Sequence, residues 1–456
     1  MLFTTKWLSA VFGGHQGQTK DSITINEVTT DSRLKSNKSL FIPLVGENFD
    51  GHHYLKQAYD NGAIATLWNK QKDLPSFLPA NFPVFYVENT LDALQKLASA
   101  YRQEINPTVV GITGSNGKTT TKDIVASVLK KAYKTHYTKG NFNNHIGLPL
   151  TILSMERHTE ILVLEMGMNH KGEIEKLTKI ANPDYAIITN IGESHIEFLG
   201  SRKAIANAKL EIVQGMGEKS SLIIDGDEEL LASIKPKTNV ITCGFHHSNN
   251  VVINDTEIFH QETRFHLSDG EWWTIPLLGK HNALNATYAI TLGKLLGMNE
   301  TVISEALQTL ERTSMRFEML EGNNGVSIIN DAYNASPTSM KAAIEVMKQI
   351  EGFKEKVLIL GDILELGDYS KEMHESVAKV ITYPVTALFT FGKESKYISD
   401  QIQKENQRMT CMHFDSKEKL FVKLRGYLRK DALLLFKASR GMQLESLVEA
   451  IQKKSF

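Results

Sequence analysis

Cysteine is scarce in this sequence, with only Cys243 and Cys411 among 456 residues. So few thiols argue against a disulfide framework and a cysteine zinc site, and they are typical of proteins of the reducing cytoplasm. An excess of charge of one sign is also missing, because 51 lysines and arginines balance 52 aspartates and glutamates. Such a balance provides no general attraction for nucleic acid or an anionic membrane. We therefore expect a cytoplasmic protein without a nucleic-acid partner.

Long hydrophobic runs are absent as well. No apolar stretch approaches the length of a membrane-spanning helix, and Lys6 and Trp7 interrupt a short apolar N-terminus that lacks a cleavable signal pattern. Low-complexity segments and internal repeats are not found. The composition is that of a globular protein, 41% hydrophobic and 23% charged, and the length predicts about three domains. We expect a monomer without membrane insertion.

The most informative stretch that is present is a glycine-rich turn between a β-branched run and a helix. Gly114 and Gly117 allow backbone N–H groups to turn inward around phosphate oxygens, and the following helix directs its positive dipole end at the same anion. Lys118 can reach the β- and γ-phosphates, and the Thr119 hydroxyl can bind Mg²⁺. The strict motif has glycine where this chain has Ile112, so the match is shorter. We predict a phosphate-binding run of Gly114, Ser115, Asn116, Gly117, Lys118, Thr119 and Thr120.

Two further strands are predicted to end at possible metal ligands. An apolar run at 161–164 leads into Glu165, and a second run at 185–189 leads towards His195. Because ligands bind at the carboxyl ends of parallel strands, we expect Glu165 and His195 to share one edge of a sheet. Both side chains can bind a divalent metal, which ATP chemistry requires. Lys209 lies in a predicted helix at 204–213, and composition alone gives it no role.

Alternating strands and helices predict an α/β protein of three domains. Residues 1–106 are expected to form a small N-terminal α/β domain that ends at Asn106-Pro107. Residues 107–312 are expected to form a central P-loop ATPase-like domain with a parallel sheet, and the alternation at 240–275 predicts antiparallel strands. Residues 313–456 are expected to form a C-terminal Rossmann-like domain with strands at 326–329, 357–360, 387–391 and 432–436.

These motifs together resemble those of the Mur ligases, ATP-dependent amide-forming enzymes of peptidoglycan precursor assembly. The resemblance covers all three predicted domains and rests, in chain order, on the run 114–120, Glu165-Met166-Gly167, His195, Ala208-Lys209, His281-Asn282-x-x-Asn285 and Asp331-x-Tyr333-Asn334. Within the family, segments 360–367 and 437–442 are similar to the member that adds D-alanyl-D-alanine to UDP-N-acetylmuramoyl-tripeptide. Two positions depart from the usual pattern, since Ser336 replaces an asparagine and Ala438 replaces a glycine.

The resemblance implies a role for each matched residue. Lys118, Lys209 and His195 would be catalytic, with Lys209 converted by CO₂ to a carbamate. ATP would bind with two Mg²⁺ ions, held by Thr119, Glu165, His195 and Lys209. The nucleotide would also contact His281, Asn282 and Asn285 at its adenine end, and Arg316, Asp331 and Tyr333 from a closing third domain. The UDP-muramyl substrate would contact Ser32, Arg33, Gly46, Asp50, Asn143 and Asn144, and the dipeptide would contact Lys437, Ser439 and Arg440.

Two alternative functions remain open at this point. Another Mur ligase or a folylpolyglutamate synthetase-like ligase would use the same ATP machinery, although segment 360–367 argues against both. A nucleotide-binding switch without ligase activity is a different class of protein. Glu165, His195 and Lys209 disfavour it, because a switch could work with Lys118 and one acidic residue.

Overall fold

The computed structural model describes residues 1–17, 23–232, 239–259, 262–270, 272–310, 314–405 and 409–453. Within these ranges the strands form sheets of two, five, nine and six strands. Parallel pairing dominates the larger sheets, and helices pack on their faces, so the prediction of an α/β fold is confirmed. None of the helices in the described ranges has the length and apolar character needed to cross a bilayer.

The N-terminal part contains a five-stranded sheet of order β2-β7-β6-β5-β4 and a separate antiparallel pair, β1 and β3. The strands are β1 Phe3–Thr4, β2 His15–Gln16, β3 Thr24–Ile25, β4 Glu27–Thr29, β5 Ser39–Phe41, β6 Ala63–Asn69 and β7 Val84–Val87. The helices are α1 Thr5–Phe12, α2 Leu55–Asp60 and α3 Thr90–Ile105. Asn89 caps α3 by accepting from the N–H groups of Leu91 and Asp92, and Asn106 ends it in a left-handed conformation.

The central sheet has the order β16-β15-β14-β13-β12-β11-β8-β10-β9. Its strands are β8 Thr108–Thr113, β9 Thr135–Tyr137, β10 Ile161–Glu165, β11 Tyr185–Ile188, β12 Ser221–Asp225, β13 Asn239–Gly244, β14 Val251–Phe259, β15 Glu262–Leu267 and β16 Trp272–Ile275. Pairing is parallel from β9 to β14 and antiparallel from β14 to β16. The antiparallel prediction for 240–275 is therefore wrong for β13, because alternation reports one-sided burial and not strand direction.

The helices of the central part are α4 Lys118–Lys130, α5 Gly147–Leu153, α6 Glu173–Ala181, α7 Ile196–Leu199, α8 Arg202–Leu210, α9 Glu229–Ala232, α10 Lys280–Leu295 and α11 Glu300–Gln308. Helix α4 buries Ile124, Val125, Val128 and Leu129 in one core with α10 and the sheet. The helix predicted at 204–213 ends its α-helical part at Leu210, and a 3₁₀ turn, Glu211–Gly215, continues it.

The C-terminal sheet has the order β17-β18-β22-β19-β20-β21 and is antiparallel only between β17 and β18. Its strands are β17 Glu318–Glu321, β18 Ser327–Asn330, β19 Glu355–Gly361, β20 Ala387–Phe391, β21 Thr410–Phe414 and β22 Ala432–Lys437. Its helices are α12 Pro337–Gln349, α13 Ser370–Ala378, α14 Lys396–Lys404, α15 Lys417–Leu424 and α16 Glu445–Lys453. The four predicted strands are confirmed, whereas the predicted boundary at 312–313 lies outside the described residues.

A cleft of about 730 Å³ separates the central and C-terminal sheets. The phosphate-binding run, Glu165 and His195 line it from one side, and Arg316, Tyr333 and Lys437 line it from the other. The carboxyl ends of parallel strands meet at one edge of each sheet, so the polar residues that follow them collect here.

Candidate active site

The predicted phosphate-binding run forms the turn between β8 and α4. Gly117 has φ 79° at the N-terminus of α4, and Gly114 has φ 151°. A Cβ atom at Gly114 would lie 1.8 Å from Thr189 Oγ1, so only glycine fits at this position. The Ser115 N–H donates to the Asn190 carbonyl at 3.0 Å, and the Asn116 N–H donates to Asn190 Oδ1 at 3.0 Å. The neighbouring strand end therefore fixes the shape of the loop.

Several buried polar atoms on the cleft wall have no hydrogen-bond partner within the described residues. They are Ser115 Oγ, Asn116 Nδ2, Glu165 Oε2 and Arg316 Nε. An unsatisfied buried group of this kind costs roughly 1–3 kcal/mol, so folded proteins rarely retain several in one place without a ligand. Two N–H donors and a hydroxyl fit phosphate oxygens, and the free carboxylate oxygen fits a cation.

Lys118 lies at the start of α4, as predicted. Its ammonium donates to the carbonyls of Gly114 at 2.8 Å and Ser115 at 3.2 Å. Burial lowers the pKa of Lys118, whereas the carboxylate of Glu165 acts in the opposite direction. The lysine therefore lies within electrostatic range of the predicted metal ligand, and its present partners are weak acceptors that a phosphate can replace.

Glu165 is the last residue of β10 and is 2% exposed. Its Oε1 atom accepts from Asn143 Nδ2 at 2.8 Å, and its backbone N–H donates to Thr138 Oγ1 at 3.0 Å. Asn143, predicted to contact substrate, thus orients Glu165 and also lines the cleft. Asn144 lines the cleft as well, but its Oδ1 caps α5 by accepting from the N–H groups of Ile146 and Gly147.

His195 lines the same cleft, at the N-terminus of α7, with an unusual left-handed φ of 65°. Its Nδ1 atom lies 2.6 Å from Glu365 Oε2 of the C-terminal part, in ion-pair contact without the alignment of a hydrogen bond. This contact lowers the pKa of Glu365. Within the described ranges no three histidine, cysteine or acidic side chains come together as a ready metal cluster. Mg²⁺ at such a site takes one or two protein carboxylates and completes its shell with phosphate and water oxygens.

Lys209 is 1% exposed on α8 and does not belong to the cleft lining. Burial, followed by the positive charge of Lys118, lowers its pKa well below the usual value of a lysine. The lowered pKa favours the neutral amine, which is the form that reacts with CO₂.

Residues of the C-terminal part cross the cleft to reach the phosphate-binding loop. Arg316 donates to Thr119 Oγ1 at 3.1 Å and stacks over the Tyr333 ring at 4.2 Å. Ser336 donates to Asn116 Oδ1 at 3.0 Å, and its hydroxyl also caps α12 in a capping box. Asp331 does not cross; it pairs with Lys437 Nζ at 2.6 Å. The serine that replaces the usual asparagine at 336 can therefore fill a capping role suited to either residue.

The three predicted residues of α10 lie together on the cleft wall. Asn285 accepts from Thr121 Oγ1 at 3.1 Å and donates to Asn282 Oδ1 at 3.2 Å. Burial lowers the pKa of His281 to about 4, so its imidazole is neutral at pH 7. A second recess of about 550 Å³ shares Thr119, Arg316 and Tyr333 with the cleft and is rimmed by Lys122, Lys130, Lys131 and Lys139.

Some predicted substrate residues do not reach the cleft. Ser439 accepts the Leu364 N–H at 2.9 Å, and Arg440 pairs with Glu445 at 2.8 Å, so neither lines it. The contact of both residues with the dipeptide therefore stays a prediction. Lys437 does line the cleft.

In the N-terminal part, none of the four predicted residues lines the cleft. Ser32 donates to Gln57 at 2.7 Å, Arg33 pairs with Asp31, Gly46 lies in a loop, and Asp50 accepts from His52.

Sequence reasoning missed several residues of the site. Glu365 contacts His195, Thr338 donates to Glu193 at 2.7 Å, and Asp225 lines the cleft with a pKa raised to about 7, mainly by burial. Glu365 lies within segment 360–367, which the sequence analysis uses without giving Glu365 a role. Its contact could not be inferred, because it depends on how the two domains meet.

A phosphate-binding loop opposed by an acidic strand end, in a central parallel-sheet domain flanked by two further α/β units, defines a three-domain nucleotide-binding protein. Three family models match in order over most of the chain: "Mur ligase family, catalytic domain" at 24–102, "Mur ligase middle domain" at 112–293 and "Mur ligase, glutamate ligase domain" at 315–440. The chain belongs to the Mur ligase family.

Individual relatives extend this similarity. The chain is 47% identical to the UDP-N-acetylmuramoyl-tripeptide--D-alanyl-D-alanine ligase of Bacillus subtilis, over 93% of each chain. It is 31% identical to the enzyme of the same name from Escherichia coli, over 94% of each. Among solved structures, MurF from Acinetobacter baumannii has a TM-score of 0.86 at 28% identity, covering 99% of each chain. MurF from Thermotoga maritima in complex with ADP has a TM-score of 0.83 at 31% identity, covering 94% of this chain and 97% of that one.

Proposed function

We propose that this chain is an ATP-dependent ligase that joins D-alanyl-D-alanine to the terminal carboxylate of UDP-N-acetylmuramoyl-tripeptide, in peptidoglycan synthesis. Relatives of that name match over more than nine-tenths of the chain. The observation that carries the proposal is the cleft, in which unpartnered donors of a phosphate-binding loop face the free oxygen of Glu165. We also propose that the protein is a cytoplasmic monomer and that it acts on these small molecules and not on nucleic acid.

The reaction requires activation, because a carboxylate is a poor electrophile. The tripeptide carboxylate attacks the γ-phosphorus of ATP, which forms an acyl phosphate and releases ADP. The dipeptide amine then attacks the carbonyl carbon, loses a proton, and expels phosphate as the amide forms. The first step brings two anions together, so the positive charge of Lys118 stabilises the transferring group.

ATP binding is assigned to the two sides of the cleft. Ser115, Asn116, Lys118 and Thr119 would bind the phosphates, with the Lys118 ammonium exchanging two backbone carbonyls for phosphate oxygens. His281, Asn282 and Asn285 on the cleft wall would contact the adenine end, and Arg316 and Tyr333 offer a stacked cation and ring to the nucleotide from the other side. Gly114, Gly117 and Thr120 shape or extend the loop. His281, Asn282, Asn285 and Asp331 remain proposed nucleotide contacts on the cleft wall.

Divalent metal would be held by Glu165, His195 and Thr119. The donor set fits, since Glu165 keeps one buried carboxylate oxygen without a protein partner. Mg²⁺ bound there supplies positive charge against the phosphate oxygens. We also propose a carbamate on Lys209, which is supported by its burial and lowered pKa and would provide an anionic ligand for a second Mg²⁺.

Closure of the C-terminal domain would exclude water from the acyl phosphate. Contacts from Arg316 to Thr119, Ser336 to Asn116 and Thr338 to Glu193 support this role, because they join the two walls directly over the phosphate-binding loop. For the dipeptide, Lys437, Ser439 and Arg440 remain the proposed contacts. For the UDP-muramyl substrate, Ser32, Arg33, Gly46, Asp50, Asn143 and Asn144 remain proposals.

The test is a competition between acceptors. D-alanyl-D-alanine, D-alanine, D-glutamate and a diamino acid are offered with their matching UDP-muramyl precursors and ATP, and the products are identified by mass spectrometry. We expect a product only from the tripeptide precursor and the dipeptide, with one ADP and one phosphate per bond. Efficient ligation of a single amino acid with the dipeptide inert would assign another Mur ligase reaction, and ATP hydrolysis without ligation would favour a switch.

A further inference from the structure

We propose that Glu365 is a positioning residue for His195: its carboxylate receives the Nδ1–H of the imidazole and leaves Nε2 unprotonated as the metal-binding atom. Because Glu365 belongs to the C-terminal domain and His195 to the central domain, domain closure would complete this metal ligand. The inference rests on the proposed function, in which His195 binds a divalent cation. It gives segment 360–367 a role in orienting a metal ligand, which is separate from binding the phosphates or the substrates.

The turn that carries Glu365 is anchored on three sides within its own domain. The carboxylate of Asp362 accepts the N–H groups of Lys393, Glu394 and Ser395 at 2.7–3.0 Å. The next N–H group, of Ile363, donates to His374 Nε2 at 3.0 Å, and the one after it, of Leu364, donates to Ser439 Oγ at 2.9 Å. Each residue before Glu365 thus has a fixed backbone or side-chain partner.

Glu365 itself has a strained backbone, with φ 62° in the left-handed region. A non-glycine residue there costs on the order of 1 kcal/mol, and such strain persists only where neighbouring structure imposes it. His195, its partner, has φ 65°. The two left-handed residues face each other across the domain boundary, and their side-chain atoms approach to 2.6 Å.

The turn also contacts α7 through its backbone. The Glu197 N–H donates to the Glu365 carbonyl at 3.2 Å, and the Tyr369 hydroxyl donates to the Gly200 carbonyl at 3.0 Å. Gly367 lies so close to Glu197 that an added Cβ would be 3.1 Å from its side chain. Both ends of the short helix that follows His195 are therefore in contact with the C-terminal domain, which fixes the position from which Glu365 approaches the imidazole.

The chemistry of this pair is that of an oriented metal ligand. A histidine binds a cation through one unprotonated ring nitrogen, and a carboxylate on the other nitrogen selects that tautomer and fixes the ring. Contacts in catalytic sites are often poorly aligned before the ligands bind, which agrees with the unaligned contact here. Because the carboxylate comes from the other domain, any ligand that favours closure also favours the metal-binding form of His195. Conversely, a metal ion that binds His195 favours domain closure.

The experiment measures Mn²⁺ affinity by electron paramagnetic resonance in the presence of ADP, for the full chain and its Glu365→Ala, Glu365→Gln and His195→Ala variants. Replacement of such an outer partner typically costs 10–100-fold in metal affinity. We expect about a 10-fold weaker Mn²⁺ affinity for Glu365→Ala, a smaller loss for Glu365→Gln, and no further loss when Glu365→Ala is added to His195→Ala. Nitrogen-15 shifts of the His195 ring should show the Nδ1–H tautomer in the parent and a tautomer mixture in Glu365→Ala.

The control is Tyr369→Phe, which removes one contact between the same turn and α7 without touching His195. It should leave Mn²⁺ affinity within about 2-fold and the His195 ring shifts unchanged. Equal losses of Mn²⁺ affinity in Tyr369→Phe and Glu365→Ala would overturn the inference, because they would show that weaker domain closure alone accounts for the effect. Unchanged affinity in Glu365→Ala, with weakened affinity in His195→Ala, would overturn the inference and leave the metal assignment intact. Unchanged affinity in His195→Ala would overturn both.

Discussion

At the scale of single residues, several groups in or near the cleft have shifted pKa values. Burial lowers the pKa of Lys209 and of Lys118, lowers that of His281 to about 4, and raises that of Asp225 to about 7. Perturbed groups of this kind collect where charge must be handled in a water-poor space. Each of them would be costly in a protein selected only for stability, so each offers a way to test the site.

We expect catalysis to require the anionic carbamate on Lys209 and not the unmodified lysine side chain. We expect Lys209→Ala to lose about 10²–10³-fold in phosphate release dependent on both substrates, because one charge contact to the reacting group is removed. Acetate or propionate should restore part of the rate, whereas acetamide should not. Removal of CO₂ and bicarbonate should lower the parent rate reversibly.

The matched control is Lys203→Ala, an exposed lysine on the same helix α8. It should retain the parent rate and its response to bicarbonate. Full activity in Lys209→Ala, or a bare ammonium in a high-resolution structure with metal bound, would contradict the carbamate.

The free energy of unfolding should fall as the pH rises, because the partly buried Asp225 carboxyl ionises. Its pKa is about 7 in the folded protein against 3.8 for the unfolded chain, so the folded state favours the protonated carboxyl. The stability associated with this proton is complete below about pH 4 and is lost as the pH rises through 7. Asp225→Asn stays neutral and should therefore unfold with a free energy about 2 kcal/mol above the parent at pH 8, allowing for partial solvent exposure.

Urea unfolding between pH 5 and pH 8 measures this difference, which should grow with pH. The exposed Asp73, changed to Asn, controls for the removal of any carboxylate. A difference that does not vary with pH would show that Asp225 is not the group responsible.

At the scale of secondary-structure elements, the ends of β19 and β22 pack closely against each other. A Cβ atom on Gly361 would lie 2.7 Å from the Cβ of Ala438, closer than two methyl groups can approach. Ala438 replaces the glycine that the family usually has, and it is fully buried. The strand pair accepts this alanine because the facing residue is a glycine.

We expect Gly361→Ala to lower the free energy of unfolding by about 1–3 kcal/mol, as overpacked cores do. Adding Ala438→Gly should recover most of that loss, because it removes the atom that clashes. Gly426→Ala is the control, since an added Cβ there meets open space and its φ is not positive. Denaturant unfolding monitors Gly361→Ala, Ala438→Gly, the double variant and Gly426→Ala, and additive losses in the double variant would mean that the two positions do not interact.

At the scale of the whole molecule, the central and C-terminal domains are joined by polar contacts that also surround the proposed ligands. Arg316, Ser336, Thr338 and Glu365 each reach a different residue of the central domain. Polar contacts with partial solvent exposure are individually weak, so their number and their dependence on ligands decide how far the domains close.

Removal of one such contact should shift the equilibrium between the open and closed arrangements of the two domains. We expect Arg316→Ala to weaken ADP binding about 10-fold, because it loses both the contact to Thr119 and the stacked cation over Tyr333. Calorimetry measures the affinity for ADP. Small-angle X-ray scattering with saturating ADP should give a larger radius of gyration for Arg316→Ala than for the parent protein.

Arg429→Ala is the control for Arg316→Ala. This arginine pairs with Glu355 and Asp431 inside the C-terminal domain and should change neither quantity. A parent-like scattering curve for Arg316→Ala would show that the contact with Thr119 does not hold the domains together.

The sequence by itself determined the parts of this protein whose signal is local. Apolar runs predicted β10, β11 and the C-terminal strands, and the glycine spacing predicted the loop between β8 and α4, because these features depend on neighbouring residues. The motif order also led to the Mur ligase family, which the comparisons confirm.

Only the tertiary structure decided the contacts that join segments far apart in the chain. The parallel direction of β13, the inward turn of Ser439, the burial of Lys209 and the contact between Glu365 and His195 all depend on the partner that packing supplies. A local pattern reports which face of an element is apolar, but not which distant residue covers it. Burial and electrostatic environment, which set the pKa of Lys209 and the orientation of His195, are properties of that packing.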